Sequence, residues 1–193
     1  MRVLIACEYS GAVRDAFRAA GHDAMSCDLL PSEVPGPHYQ GDVRDVLGDG
    51  WDLMVAHPPC THLAVSGARW FREKQAEQAE ALDFVRLLLD APIPRIALEN
   101  PVGVISSRIR KPDQIIQPYE HGHEATKTTC LWLKGLPLLK PSSIVGKGAR
   151  HVTKSGRSLP EWYNLPPSAD RWKIRSATFP GIAAAMAAQW GCL

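Results

Sequence analysis

The sequence predicts an α/β fold with a mostly parallel sheet and flanking helices, and three observations carry that prediction. Short continuous apolar runs occur at 3–7 and 53–56, and the strand-like stretch 93–98 ends in another, Ile96-Ala97-Leu98. Several of the stretches that follow the strand-like runs carry apolar residues at helical spacing. Each run also stops at a polar or reactive residue. At 193 residues, with 45% hydrophobic and 22% charged side chains, the chain supplies one core, so a single domain over 1–193 is expected. Disorder and fibrous repeats do not fit this composition.

The run 3–7 reads as a strand that gives way, after Glu8-Tyr9-Ser10-Gly11, to a helix carrying Val13, Phe17 and Ala20 and closed by Gly21. A second short strand, 23–27, ends at Asp28, and the Pro- and Gly-rich loop 31–36 follows. A parallel βαβ start is the simplest account. The run 53–56 breaks at His57-Pro58-Pro59-Cys60, where two prolines end any ladder pairing. From 70 to 90 the composition is helical, with Leu82, Val85 and Leu89 on one stripe and Glu73, Glu77 and Glu80 on wetter faces. The strand 93–98 ends in Glu99-Asn100-Pro101, and 128–133 reads as a further strand with a weaker candidate, 114–118, before it. Residues 140–175, rich in Pro, Gly, Ser, Lys and Arg, are expected to form long loops. Pro180 suits the first turn of a last helix with Ile182, Met186 and Trp190 at i, i+4 and i+8. Ligands of open α/β sheets bind beyond the carboxyl ends of the strands, so Glu8, Asp28, Cys60 and Glu99 are expected at one crevice.

A formal charge of +2 rules out a polycation or an acidic tail but hides an asymmetry. Residues 1–60 carry 4 basic and 9 acidic side chains, 61–133 carry 9 of each, and 134–175 carry 9 basic and 2 acidic. The last segment predicts a basic surface for a polyanion. Five cysteines, odd in number, widely spaced and without a CxxC pair, argue against a disulfide framework and for a reducing cytoplasm. The N-terminus turns polar too early for a signal peptide, and no apolar run approaches the roughly 18 residues of a membrane span.

Two positions stand out chemically. Cys60, directly after two prolines at a strand end, has a rigid backbone and a side chain presented to the crevice, as a nucleophile must be. A free thiol titrates near about 8.5. Useful reactivity therefore needs a cation or a helix N-terminus, for which His57, His62, Arg69 and the helix beginning near Trp70 are the candidates. Glu99 closes an apolar strand, where a carboxylate is expensive to bury unless it is hydrogen-bonded or protonated. A thiol and a carboxyl at adjacent strand ends suit addition to a conjugated ring, the sulfur attacking carbon while the carboxyl supports charge on a ring nitrogen.

The order Ser10-Gly11, Asp28, Gly41-Asp42-Val43-Arg44-Asp45, Pro58-Pro59-Cys60 with Ser66-Gly67, and Glu99-Asn100-Pro101 resembles the cytosine-C5 DNA methyltransferases. It is closest to their short phage and prophage members without a full target-recognition domain, and the segment 178–190 is similar to those proteins as well. The resemblance implies a Rossmann-like S-adenosylmethionine-dependent methyltransferase fold, with DNA as substrate and S-adenosyl-L-methionine as cofactor. It implies a flipped cytosine attacked at C6 by Cys60 while Glu99 hydrogen-bonds the N3 and amino edge, with methyl transfer to C5. It places Tyr9, Ser10 and Gly11 at the methionine end of the cofactor, Asp28 at the ribose hydroxyls and Asp42 at the adenine amino group. Asp28 as a ribose acceptor also follows from its position. Ser66, Asn100 and Lys127 would shape the base pocket, and Lys147, Arg150 and Lys154 in the basic segment would contact phosphates.

The sequence departs from the family pattern in four ways. The first loop is less Gly-rich, Ala12-Val13 following Ser10-Gly11. Pro101 stands third in the Glu-Asn motif, and Lys127 is the candidate to replace a pair of arginines although it lacks their fork. Only the basic segment, from Lys140 to Lys173 and slightly beyond, is left to do the work of a target-recognition domain, so specificity is expected to be loose, short or supplied by a partner. A zinc site from His57, Cys60 and His62 with His121, His123 and Cys130 has no regular ligand spacing. An amino-methyltransferase acting on adenine N6 or cytosine N4 would carry an aromatic where Cys60 stands. A catalytically degenerate DNA-binding protein would bind DNA regardless of the cofactor and of Cys60→Ala.

Overall fold

The structure, a computed structural model, describes residues 1–70 and 72–193, and of residues 68–70 the backbone alone. Its centre is a seven-stranded sheet of order β3-β2-β1-β4-β5-β7-β6, made from β1 (Arg2–Ala6), β2 (Asp23–Asp28), β3 (His38–Gln40), β4 (Leu53–Ala56), β5 (Arg95–Pro101), β6 (Gln114–Ile116) and β7 (Thr129–Lys134). The five strands from β3 to β5 are parallel, and β7 runs antiparallel to both of its neighbours.

Period-two alternation splits the strands between two apolar layers. Val3 and Ile5 join Leu53, Val55 and Ala97 in a core covered by helices α1 (Ala12–Ala19) and α5 (Pro180–Trp190) through Val13, Phe17, Ile182, Met186 and Trp190. Leu4, Ala6, Met54, Ile96 and Leu98 face the other way, against Leu82, Val85 and Leu88 of helix α2 (Gln75–Leu89). Both faces of the sheet are therefore dry, and its inner strands read as unbroken apolar runs.

Most expected elements appear, and the differences have local causes. The helix expected from residue 70 starts at Gln75; a 3-10 segment, Val65–Trp70, precedes it, with Val65 N–H donating to the Val102 carbonyl at 3.0 Å. Its stripe is Leu82, Val85 and Leu88, and Leu89 is only partly buried. Strand β3 and the short helix α3 (Ile105–Arg108) were not foreseen, each being too short to show a period. The segment 140–175 is not merely loop. It contains a hairpin of β8 (Arg150–Val152) and β9 (Ser158–Pro160), turned at Gly156 with φ 79°, then a 3-10 turn Glu161–Asn164 and helix α4 (Arg171–Ser176).

The topology fixes what meets at the carboxyl edge. β1, β4 and β5 are neighbours, so Cys7-Glu8, His57 to Cys60 and Glu99-Asn100 emerge side by side. Because β7 is antiparallel, with Thr129 opposite Pro101, its entry brings Lys127 to that same edge.

Candidate active site

A cavity of about 900 Å³ lies beyond the carboxyl ends of β1, β4 and β5. Tyr9, Ser10, Cys60, Ser66, Glu99, Asn100 and Lys127 all line it. Gly11, Asp28, Asp42, Lys147, Arg150 and Lys154 do not.

Cys60 is held through its backbone and its neighbours. Pro58 and Pro59 restrict the approach, and Asn100, fully buried, donates from Nδ2 to the Pro58 carbonyl at 2.8 Å. Asn100 thus ties the end of β5 to the Pro-Pro-Cys turn. Beyond the cysteine, the Cys60 carbonyl accepts from Leu63 and Ala64 N–H at 3.0 and 2.9 Å, and Leu63 in turn accepts from Val104 N–H at 2.9 Å. Gly103 lies so close under this turn that a Cβ there would collide with the Leu63 carbonyl. The thiol is exposed to the cavity, yet burial of the sulfur, and then the Glu99 carboxylate, push its pKa up; Lys127 and Arg175 pull the other way. In the free protein Cys60 is therefore a thiol. The cations acting on it are Lys127 and Arg175, whereas His57 is engaged with Glu99 and Arg69 lies outside the described side chains. The helix N-terminus expected near Trp70 falls instead at Gln75.

Two basic side chains, His57 and Lys127, act on Glu99. Its Oε2 is 3.2 Å from His57 Nδ1, with side-chain exposures of 19% and 11%, so water screens the pair weakly. Burial alone would raise the Glu99 pKa, but the His57 hydrogen bond and charge, helped by the Lys127 charge, outweigh it and hold the carboxyl below its ordinary range. An ionised carboxylate only accepts, so Nδ1 carries the hydrogen and donates. His57 Nε2 and Asn100 Oδ1 are buried without a partner. Burial lowers the Lys127 pKa, against the pull of Glu99 and Cys60. Its Nζ donates to the Ala177 carbonyl at 3.3 Å and lies 5.5 Å from the Trp162 ring and 5.8 Å from the Phe179 ring.

At the other end, Glu8 closes the N-terminus of α1: Oε1 accepts from Val13 N–H at 2.7 Å and Oε2 from Arg14 N–H at 3.2 Å. A helix N-terminus left open would hold a phosphate. This one is already neutralised by a buried carboxylate, so a cationic or neutral ligand fits beside Tyr9 and Ser10 better than an anionic one. Gly11, with φ 77°, makes room for protein: a Cβ there would lie 2.6 Å from both Arg14 Nη2 and Val34 Cγ2. Asp28 Oδ1 accepts from Leu30 N–H at 2.9 Å, and Asp42 binds Arg44 through backbone and guanidinium. Asp28 follows Cys27, the register partner of Ala6 at the end of β1, and burial, then the charges of Asp28, Cys27 and Asp42, push the Cys7 thiol up to about 12. Glu8 was expected at the crevice, but its capping role follows only from how β1 meets α1.

The basic segment contributes differently from its sequence reading. Lys147 packs 5.6 Å from the Tyr119 ring, Arg150 binds Ser158 within the hairpin, and Lys154 sits exposed at the hairpin turn. Arg157, Trp162, Tyr163, Trp172 and Arg175 instead line the cavity. Sequence reasoning missed them; the signal available was an aromatic-rich stretch inside the most basic part of the chain.

The histidines and Cys130 considered for zinc are dispersed. His121 meets Ser142 at 3.0 Å, His123 accepts from Gly181 N–H at 2.8 Å, and Cys130 lies in the core. Among the described residues no group of three or more His, Cys, Asp or Glu is placed to hold a metal, and no helix is long and apolar enough to cross a membrane.

No protein-family model and no curated protein matches the sequence. Among solved structures, the chain is similar to a protein described as a candidate DNA modification methyltransferase, encoded within a prophage of E. coli. The TM-score is 0.52 at 14% identity, over 77% of this chain and 53% of that one. The chain thus spans about half the length of the structure it matches. At that identity the likeness is one of architecture: the chain shares a Rossmann-like fold with that protein, with a mostly parallel seven-stranded sheet and flanking helices.

Proposed function

We propose that this protein methylates C5 of cytosine in DNA, with S-adenosyl-L-methionine as the methyl donor. The observation that carries the reading is the convergence of Cys60, Glu99 and Lys127 on one cavity at the carboxyl edge of a methyltransferase-type sheet. S-adenosylmethionine supplies an electrophilic methyl group on a sulfonium centre. Glu8, Tyr9 and Ser10 would hold its methionine end, where the neutralised helix N-terminus suits a cation, and Asp28 would receive its ribose hydroxyls. Asp42 is assigned to the adenine amino group through whichever lone pairs its bond to Arg44 leaves free.

On the substrate side, the Cys60 thiol passes its proton to the ionised Glu99 carboxylate and the sulfur bonds to C6 of the ring. The ring electrons move toward C5 and N3, where the proton that Glu99 has taken from the thiol is shared with N3 and balances the charge. Once C5 carries the methyl group, a solvent base takes the C5 proton, the C5–C6 double bond re-forms as the C6–S bond breaks, and the N3 proton returns through Glu99 to the sulfur. The resting thiol requires help with ionisation, and Lys127 and Arg175 act in that direction. Asn100 holds the Pro58 carbonyl, which fixes the backbone from which Cys60 projects. Ser66 lines the same cavity, and Lys147, Arg150 and Lys154, which lie outside it, are assigned to the phosphates.

The test is incubation with DNA containing 5-fluorocytosine and the methyl donor. Fluorine at C5 cannot leave as a proton, so a covalent adduct through Cys60 is expected, with none from Cys60→Ala. Methyl transfer without an adduct would overturn the C5 chemistry in favour of an amino-methyltransferase. DNA binding unaffected by donor and by Cys60→Ala, with no transfer, would leave a DNA-binding protein.

A further inference from the structure

Of the rings that line the cavity, Trp162, Tyr163 and Trp172 have no task in the proposed reaction. They reach the cavity from the C-terminal segment and Tyr9 from the β1–α1 loop, with Arg157 and Arg175 among them. Trp172 is 49% exposed and Tyr163 40% exposed, although an indole or phenol face left in water is unfavourable. Trp172 and its neighbour Trp162 are nonetheless held in place. Trp172 packs on Tyr9 at 5.7 Å between centroids, Tyr9 Oη meets Ser176 Oγ at 3.0 Å, and Trp162 packs on Phe179 at 5.0 Å. Helix α4, which carries Trp172, buries none of its residues and so contributes little to the core.

Fixed, exposed rings interleaved with guanidinium groups on the most basic segment of the chain form a stacking platform for unpaired bases. Resting on the proposed function, we infer that the substrate is single-stranded DNA, its bases stacking on Trp172 and Tyr163 while Arg157 and Arg175 take its phosphates. In a duplex, only an extruded base has free faces, whereas this wall offers more than one ring. The neighbours of the target would also have to be unstacked to use it.

The test is fluorescence anisotropy with a labelled cytosine-containing 12-mer, single-stranded and as its duplex, in the absence of methyl donor. The single strand is expected to bind at least tenfold more tightly than the duplex. Trp172→Ala should weaken single-strand binding by roughly 5- to 150-fold, the range that stacking one base spans, and Trp172→Phe should retain most of the affinity. Because stacking is not ionic, the ratio between wild type and Trp172→Ala should hold as salt rises, while both affinities fall. Duplex binding as tight as that of the single strand, or affinity untouched by Trp172→Ala and Tyr163→Ala, overturns the inference. The assay involves no methyl transfer, so a platform that binds single strands while no 5-fluorocytosine adduct forms would sink the proposed reaction and leave this inference standing.

Discussion

Removal of the His57 imidazole tests the electrostatic heart of the site. The Nδ1–Oε2 distance of 3.2 Å joins two mostly buried side chains, and the acceptor is ionised. A hydrogen bond to a charged group contributes about 1.5–3 kcal/mol. His57→Ala is therefore expected to lower the unfolding free energy by about that much at neutral pH, with the upper part of the range muted because Lys127 still faces the carboxylate. The sign of the pH dependence follows from Glu99. Its folded pKa is depressed, so its stabilisation is complete above the unfolded value of about 4.3 and disappears as pH falls through the lower folded value. The gap between wild type and His57→Ala should thus be widest near pH 7 and close in acid. Urea denaturation of wild type, His57→Ala, Glu99→Gln and the double variant, followed by circular dichroism, gives the coupling between the two residues. A coupling of zero, or a gap that does not change with pH, would refute the assignment of His57 as the partner that keeps Glu99 ionised.

Two further outcomes follow from the same surroundings. Alkylation of Cys60 by iodoacetamide, followed by mass spectrometry of its peptide, should keep accelerating above pH 9, because burial and Glu99 raise the thiol pKa; Lys127→Met should slow it further, and a plateau by pH 8.5 would contradict this. Gly103→Ala should cost about 1–3 kcal/mol by overpacking and displace the Cys60 turn, since the new Cβ meets backbone that cannot swing away; an unchanged melting temperature would count against that contact.

Much of the framework was legible from local pattern. The apolar runs of β1 and β4 and the 96–98 part of β5 are continuous because both faces of the sheet are covered there, and Pro180 opens α5 as its missing N–H permits. Cys60 and Glu99 were marked as a pair because each terminates such a run. What escaped was short or depended on distant partners: β3, α3 and the β8–β9 hairpin are three or four residues per element, too few to show a period. His57 was taken as a cation for Cys60, but the pairing of β4 with β5 aims it at Glu99.

The sequence by itself determined the α/β class, the principal strands and helices, and the residue types that end the strands, because periodicity, proline and glycine act over a few neighbouring positions. Only the tertiary structure decided which of those ends share a cavity. Strand order places Cys60 beside Glu99, the antiparallel β7 delivers Lys127, and the return of the chain toward α5 lays Trp162, Trp172 and Arg175 along the mouth. These contacts join residues tens of positions apart, and long-range proximity is set by how the layers pack around the sheet, which no local spacing encodes.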